Sequence, residues 1–161
     1  VSRPLAELLA EHGFFADLDD EFVAAVAACA REDVIPAGTV LFEEGGRADA
    51  CWFVRRGRAA VEVRTPRGTT VIATVGPGQV LGWSWLFPPY RWHFDARALD
   101  ELTTITLDAP CVRERVEADP RLGFELMRRF TELSIQRLQA TRLQLLDLYG
   151  GEHALPERLE R

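Results

Sequence analysis

The densest run of chemically capable side chains is Gly82-Trp83-Ser84-Trp85-Leu86-Phe87-Pro88-Pro89-Tyr90-Arg91-Trp92-His93-Phe94. Six aromatics fall between Trp83 and Phe94, in a chain that is 9% aromatic, and three of the four tryptophans are here. Large flat side chains in this density can wall a pocket that stacks on a flat ligand, with Arg91 as the anion contact. They can equally form an aromatic plug that closes one end of a barrel. Pro88 and Pro89 forbid a regular strand through the middle, so the segment is expected to be a structured insertion between two strands.

Enzyme chemistry finds little support elsewhere. His12, His93 and His153 lie far apart, with no carboxylate or cysteine at ligand spacing, so no metal is expected. Nucleophile-elbow, zinc-protease and phosphate-loop motifs are missing from the sequence. Glu43-Glu44 beside Gly45-Gly46 reads more simply as a solvated turn than as paired acid/base groups. Cys29, Cys51 and Cys111 are odd in number and widely spaced, which predicts neither a disulfide framework nor a metal clip. Cys51 and Cys111 are expected on a strand and at a helix start, as buried inert thiols rather than redox groups. His93 as a haem ligand would rest on one residue.

The elements that must position the aromatic segment fall into three zones. Leu5, Leu8 and Leu9, then Phe22, Val23, Val26, Ala27 and Ala30, form apolar stripes at helical spacing, so residues 4–31 read as helices, with Asp19 as an N-cap. Residues 34–108 alternate short apolar runs with glycine turns, including a hairpin at Pro66-Arg67-Gly68. That pattern predicts an antiparallel barrel or jelly roll within an α+β fold. Residues 109–149 return to helix, with Asp108-Ala109-Pro110 and Asp119-Pro120 as cap-plus-proline starts and Gly150-Gly151 as the stop. Along the last helix Met127, Phe130, Ser134, Leu138, Thr141, Leu145 and Leu148 approach a heptad seam. The seam predicts pairing with a second copy, Ser134 and Thr141 facing the partner or a ligand; the alternative is a helix packed only on its own domain. Residues 150–161 form a charged tail.

Composition sets the outer bounds. The 161 residues, 47% hydrophobic, fit one domain spanning 1–149 with a true core. No apolar run reaches the ~18 residues of a membrane span, and no secretory h-region follows the N-terminus, so a cytoplasmic protein is expected. All 19 basic residues are arginine, and the net charge is −6. That balance disfavours general phosphate-backbone binding.

The glycine framework resembles a known family. Ile35-Pro36-Ala37-Gly38-Thr39-Val40-Leu41-Phe42-Glu43-Glu44-Gly45, Trp52-Phe53-Val54-Arg55-Arg56-Gly57 and Val75-Gly76-Pro77-Gly78-Gln79-Val80-Leu81-Gly82 are similar to the successive strands and turns of the cyclic nucleotide-binding domain. Phe14-Phe15-Ala16-Asp17-Leu18 and the long last helix also fit, the latter resembling the dimer helix of catabolite activator-type regulators. The resemblance covers residues 14–149 and implies a bacterial signal-transduction module: a β-roll flanked by helices, a homodimer, and a small-ligand cassette. It departs where the ligand would bind. The family's cassette has Gly-Glu, the Glu for the ribose hydroxyl, and about nine residues later an Arg for the cyclic phosphate. Here Gly82 is kept, Trp83 stands at the Glu position and Trp92 at the Arg position; Arg91 is one residue early, and Arg97 on the outgoing strand is expected to point elsewhere.

Charge-assisted hydrogen bonds are worth about 1.5–3 kcal/mol each, so losing both contacts predicts cyclic nucleotide binding weaker by about a thousandfold or more. Three readings stay open. The leading one is an aromatic-filled cassette in a non-enzymatic, dimeric signalling or interaction domain. A second is a sensor of another flat or anionic ligand, held by Trp83, Ser84, Trp85, Leu86, Arg91, Trp92 and His93, with Thr141 and Arg142 above, where the family's purine contacts arise. The third is cAMP or cGMP binding through a shifted Arg91. No cofactor is expected beyond such a ligand. The family's transcription factors carry a helix-turn-helix after the dimer helix. The 12 residues beyond Tyr149 are too few for one, which predicts either a protein partner rather than direct DNA binding or a fragment of a longer regulator.

Overall fold

The computed structural model describes residues 3–150. Two helices, α1 (Leu5–Glu11) and α2 (Asp20–Ala27), flank a 3-10 turn at Gly13–Phe15. Eight strands follow: β1 (Ala30–Ile35), β2 (Val40–Phe42), β3 (Ala50–Arg56), β4 (Ala59–Thr65), β5 (Gly68–Val75), β6 (Val80–Leu81), β7 (Asp95–Ala98) and β8 (Leu102–Asp108). Then come α3 (Ala109–Ala118) and α4 (Pro120–Gly150). The strands form two four-stranded antiparallel sheets, ordered β1-β8-β3-β6 and β2-β7-β4-β5. This is the α+β roll the alternating runs predict, including the β4–β5 hairpin across Pro66-Arg67.

Two expectations need correction. Residues 30–31 are strand, not helix: α2 stops at Ala27 and Ala30–Ile35 pair with Leu102–Leu107. The apolar stripe that suggested a longer helix ends in Ala30, which opposes Leu107 at the start of the β1–β8 ladder. Cys29 and Cys111 form a disulfide rather than standing as free thiols. They are 82 residues apart in sequence, yet the Ala30–Leu107 pairing brings the two segments together, and their Cα atoms lie 5.6 Å apart. Cys51 is free and buried on β3, as expected; burial pushes its thiol far above the ordinary value, with the Trp85 indole opposing.

Successive β3 side chains face opposite sides of their sheet. Phe53 packs against His12, Phe14 and Phe15 from the N-terminal segment. Trp52, on the other side, meets Phe42 of the second sheet. Thr104 and Thr106 of β8 are buried and share a hydrogen bond of 3.1 Å, which satisfies hydroxyls that would otherwise be costly there. The first turn of α3 is capped by Asp108, which accepts from the Cys111 amide at 2.9 Å; Asp119 likewise accepts from the Arg121 amide at 3.1 Å. Asp19 precedes α2 at the N-cap position without a side-chain hydrogen bond.

His12 is buried, and its Nδ1 accepts from the Phe14 amide at 3.3 Å. Burial holds its imidazole below the ordinary 6.5, against the carbonyls of Gln79 and Val54, which favour the charged form. The unfolded chain therefore takes up this proton first as pH falls. The contribution of neutral His12 is complete above about pH 6.5 and is lost as the pH drops toward the depressed native value. Urea midpoints are expected to fall between about pH 7.5 and 5 in the wild type, and less steeply in His12→Asn, whose amide oxygen can still accept from Phe14. Parallel profiles would contradict this.

By compactness the chain divides into a unit ending at Gly123 and a second beginning at Phe124. The described part of the second is the remainder of α4. Leu126 and Phe130 are buried, whereas Met127, Leu138, Leu145 and Leu148 are 39–72% exposed. The Ser134 and Thr141 hydroxyls donate to the carbonyls of Phe130 and Arg137 one turn back, so both are satisfied within their own helix.

Candidate functional site: an aromatic-filled cassette

Gly82 ends β6 with φ +81°, a conformation that favours glycine, and turns the chain into a 3-10 turn at Ser84–Leu86. The chain returns through Tyr90 and Trp92, which are stitched to the β2–β3 connection. Trp92 donates its amide to the Gly46 carbonyl at 2.9 Å, and its own carbonyl accepts from the Gly45 amide at 2.8 Å. The Ala48 amide donates to the Tyr90 carbonyl at 2.8 Å. These bonds fix the direction of the Trp92 side chain.

The indole of Trp92 is 5% exposed. It stacks on Phe42 with ring centroids 4.0 Å apart and planes 16° apart, and it tilts against Trp52 at 5.9 Å. Phe42 belongs to one sheet and Trp52 to the other, so the three rings fill the space between the sheets. A Cβ on Gly82 would lie 2.8 Å from the Trp92 ring and 3.4 Å from Trp52. The turn glycine is thus also the floor on which the indole rests. Gly82→Ala adds left-handed backbone strain to overpacking and is expected to destabilise by about 2–4 kcal/mol, read from urea unfolding. A change within error would show that Trp92 can move aside freely.

The remaining expected site residues divide into two groups. Trp85 is fully buried, beside Cys51 on the face of β3 opposite Trp52, so it does not share a site with Trp92. Trp83 and Ser84 are half-buried at the start of the turn, and Leu86 is half-buried at its end. Arg91 is exposed; its guanidinium lies 3.4 Å from the Gly45 carbonyl, and its backbone bridges Arg47. His93 is exposed. Arg97 points outward, as expected, and pairs with the buried carboxylate of Glu62 on β4. Thr141 and Arg142 are exposed positions of α4 in the second unit.

Sequence reasoning missed three participants. Phe42 and Trp52 complete the aromatic stack; both lie in short apolar runs that read only as strand core. Arg113 of α3 donates to the Trp85 carbonyl at 2.9 Å, and its guanidinium sits 4.4 Å over the Tyr90 ring. No local signal marks that arginine, because its partners are 23 and 28 residues away along the chain. Among the described residues no group of three metal-ligand side chains occurs, and no helix is long and apolar enough to cross a membrane.

The cyclic nucleotide-binding domain model matches residues 32–119, from within β1 through the cassette to the end of α3. The chain belongs to the cyclic nucleotide-binding domain family. Among curated relatives, the HTH-type transcriptional regulator Cmr of Mycobacterium tuberculosis is 26% identical over 138 residues, covering 86% of this chain and 55% of the regulator. The chain thus spans about half the length of that relative. A solved structure from Geobacter metallireducens, named for cyclic nucleotide binding, is 28% identical with a TM-score of 0.76 and covers 86% of this chain and 99% of that one. The N-terminal domain of a Streptomyces coelicolor transcriptional regulator is also 28% identical, with a TM-score of 0.64 and coverage of 83% and 94%. The family is regulatory, and the antiparallel roll with its long C-terminal helix is its fold. Within that fold, the cassette of this member carries Trp83 and Trp92 where the family resemblance implies Glu and Arg.

Proposed function

We propose that this chain is a non-enzymatic regulatory module whose cyclic nucleotide cassette is filled by its own Trp92, and which acts as a dimeric signalling or interaction domain rather than as a cAMP or cGMP receptor. The observation that carries the reading is the Phe42–Trp92–Trp52 stack resting on Gly82. A nucleotide seated there would have to displace a buried indole, at a cost comparable to a Trp truncation, about 3–5 kcal/mol. It would also lack the usual guanidinium for its phosphate. Isothermal titration calorimetry is expected to show no cAMP or cGMP binding tighter than about 1 mM. Low-micromolar binding with a normal stoichiometry would overturn the reading. The alternative of a different flat ligand gripped by the tryptophans is weakened because Trp85 and Trp92 are already packed away on opposite faces of β3.

The dimer rests on α4, where Met127, Leu138, Leu145 and Leu148 recur at near-heptad spacing and stay exposed. Leu138→Glu with Leu145→Glu is expected to convert a dimer into a monomer in sedimentation velocity, with the roll's near-ultraviolet dichroism unchanged. A wild type that sediments as a monomer at tens of micromolar would sink the dimeric part of the proposal alone. The whole chain's net charge of −6 opposes a nucleic-acid role and favours a protein as the recipient of its signal.

A further inference from the structure

The geometry points to the Cys29–Cys111 pair as a thiol–disulfide exchange site that sets how firmly α3 holds the cassette. The bond joins the residue just before β1 to the first turn of α3. Two residues further along α3, Arg113 grips the cassette twice, through the Trp85 carbonyl and the Tyr90 ring. The covalent link and the clamp thus share a single turn of helix. That turn is also held by the Asp108 cap on the Cys111 amide, the Asp108 amide on the Cys29 carbonyl and the Ala109 amide on the Asp49 carbonyl, and by the buried side chains of Ala109 and Val112. Cys29 is buried at 6% exposure, whereas Cys111 is half-buried, so an incoming thiolate meets the Cys111 sulfur first.

The co-reactant is a dithiol, either a small molecule or a Cys-X-X-Cys protein reductant. Its thiolate attacks the Cys111 sulfur, forming a mixed disulfide and expelling the Cys29 sulfur as thiolate, which takes up a proton. The second thiol of the reductant attacks its own sulfur in the mixed disulfide and expels Cys111, which is protonated in turn. The protein gains two electrons and two protons, and the dithiol leaves as a cyclic disulfide. A low-molecular-weight disulfide reverses the step. Cys51 takes no part, being fully buried on β3 beside Trp85.

The test uses the whole chain in dithiothreitol redox buffers, with alkylation mass shifts to count thiols and hydrogen exchange to follow residues 83–92. Reduction is expected to release two alkylatable thiols without global unfolding and to speed amide exchange in that segment at least tenfold, while β4–β5 amides stay unchanged. Arg113→Ala is expected to produce the same acceleration in the oxidised protein, with little further change on reduction. Unchanged exchange in residues 83–92 after verified reduction would overturn the inference, as would release of the thiols only on global unfolding. Should Arg113→Ala fail to fold, the wild-type comparison decides the matter unaided. The result is independent of whether the cassette binds a nucleotide.

Discussion

Exchanging Trp83→Glu together with Trp92→Arg is expected to raise affinity for cyclic AMP by about a thousandfold or more, from weaker than about 1 mM into the micromolar range. The argument has an attractive and a steric half. The attractive half is the pair of charge-assisted contacts, to ribose hydroxyl and cyclic phosphate, that the family resemblance implies at these two positions. The steric half is the removal of the indole that stacks on Phe42 and sits against Gly82. Trp92→Ala alone supplies only the second half, leaving a buried phosphate without a partner, and is expected to gain far less. Both variants lose the inter-sheet stack and should be less stable by about 3–5 kcal/mol, so binding must be measured well below their melting temperatures. Saturating nucleotide should restore part of that loss in the double variant by linkage. A folded double variant that binds no better than the wild type would show that the cassette has diverged in its backbone as well as its side chains.

Removing the Cys29–Cys111 link is expected to cost about 4 kcal/mol and to lower the melting temperature by about 10–15 °C. The magnitude follows from topology. The two cysteines are separated by 82 residues that include the whole roll, so the cross-link excludes a large set of unfolded conformations. Cys29→Ala with Cys111→Ala and wild type under dithiothreitol should agree, which separates loss of the link from loss of side-chain packing. Cys51→Ala leaves the link intact and is expected to cost only a small cavity, about 1–2 kcal/mol. Three titratable thiols in the denatured, unreduced protein would contradict the pairing itself.

The same two features mark the reach of sequence reading in this protein. The elements were legible because their signals are local. Glycine turns at Gly57, Pro66-Arg67-Gly68 and Gly76-Pro77-Gly78 bracket runs of strand-forming residues, and Asp108 and Asp119 start helices that α3 and α4 bear out. The glycine order also carried the family resemblance, and that resemblance implies a Glu and an Arg at the positions where Trp83 and Trp92 stand. The helix reading of residues 30–31 failed because ladder pairing with β8 overrode a short apolar periodicity.

What the linear order could not decide was where the aromatic side chains point. Trp85 and Trp92 look alike in sequence, yet one is buried beside Cys51 and the other stacks between the sheets, because β3 presents its neighbouring residues to opposite faces. The disulfide and the Arg113 clamp depend on contacts across 82 and 28 residues, which only the tertiary fold creates. Residue types and turn spacing therefore determined the roll and the departure of its cassette from the family pattern. Tertiary packing alone decided that Trp92 packs against Phe42 and Trp52, since occupancy of a buried space depends on which distant side chains meet there.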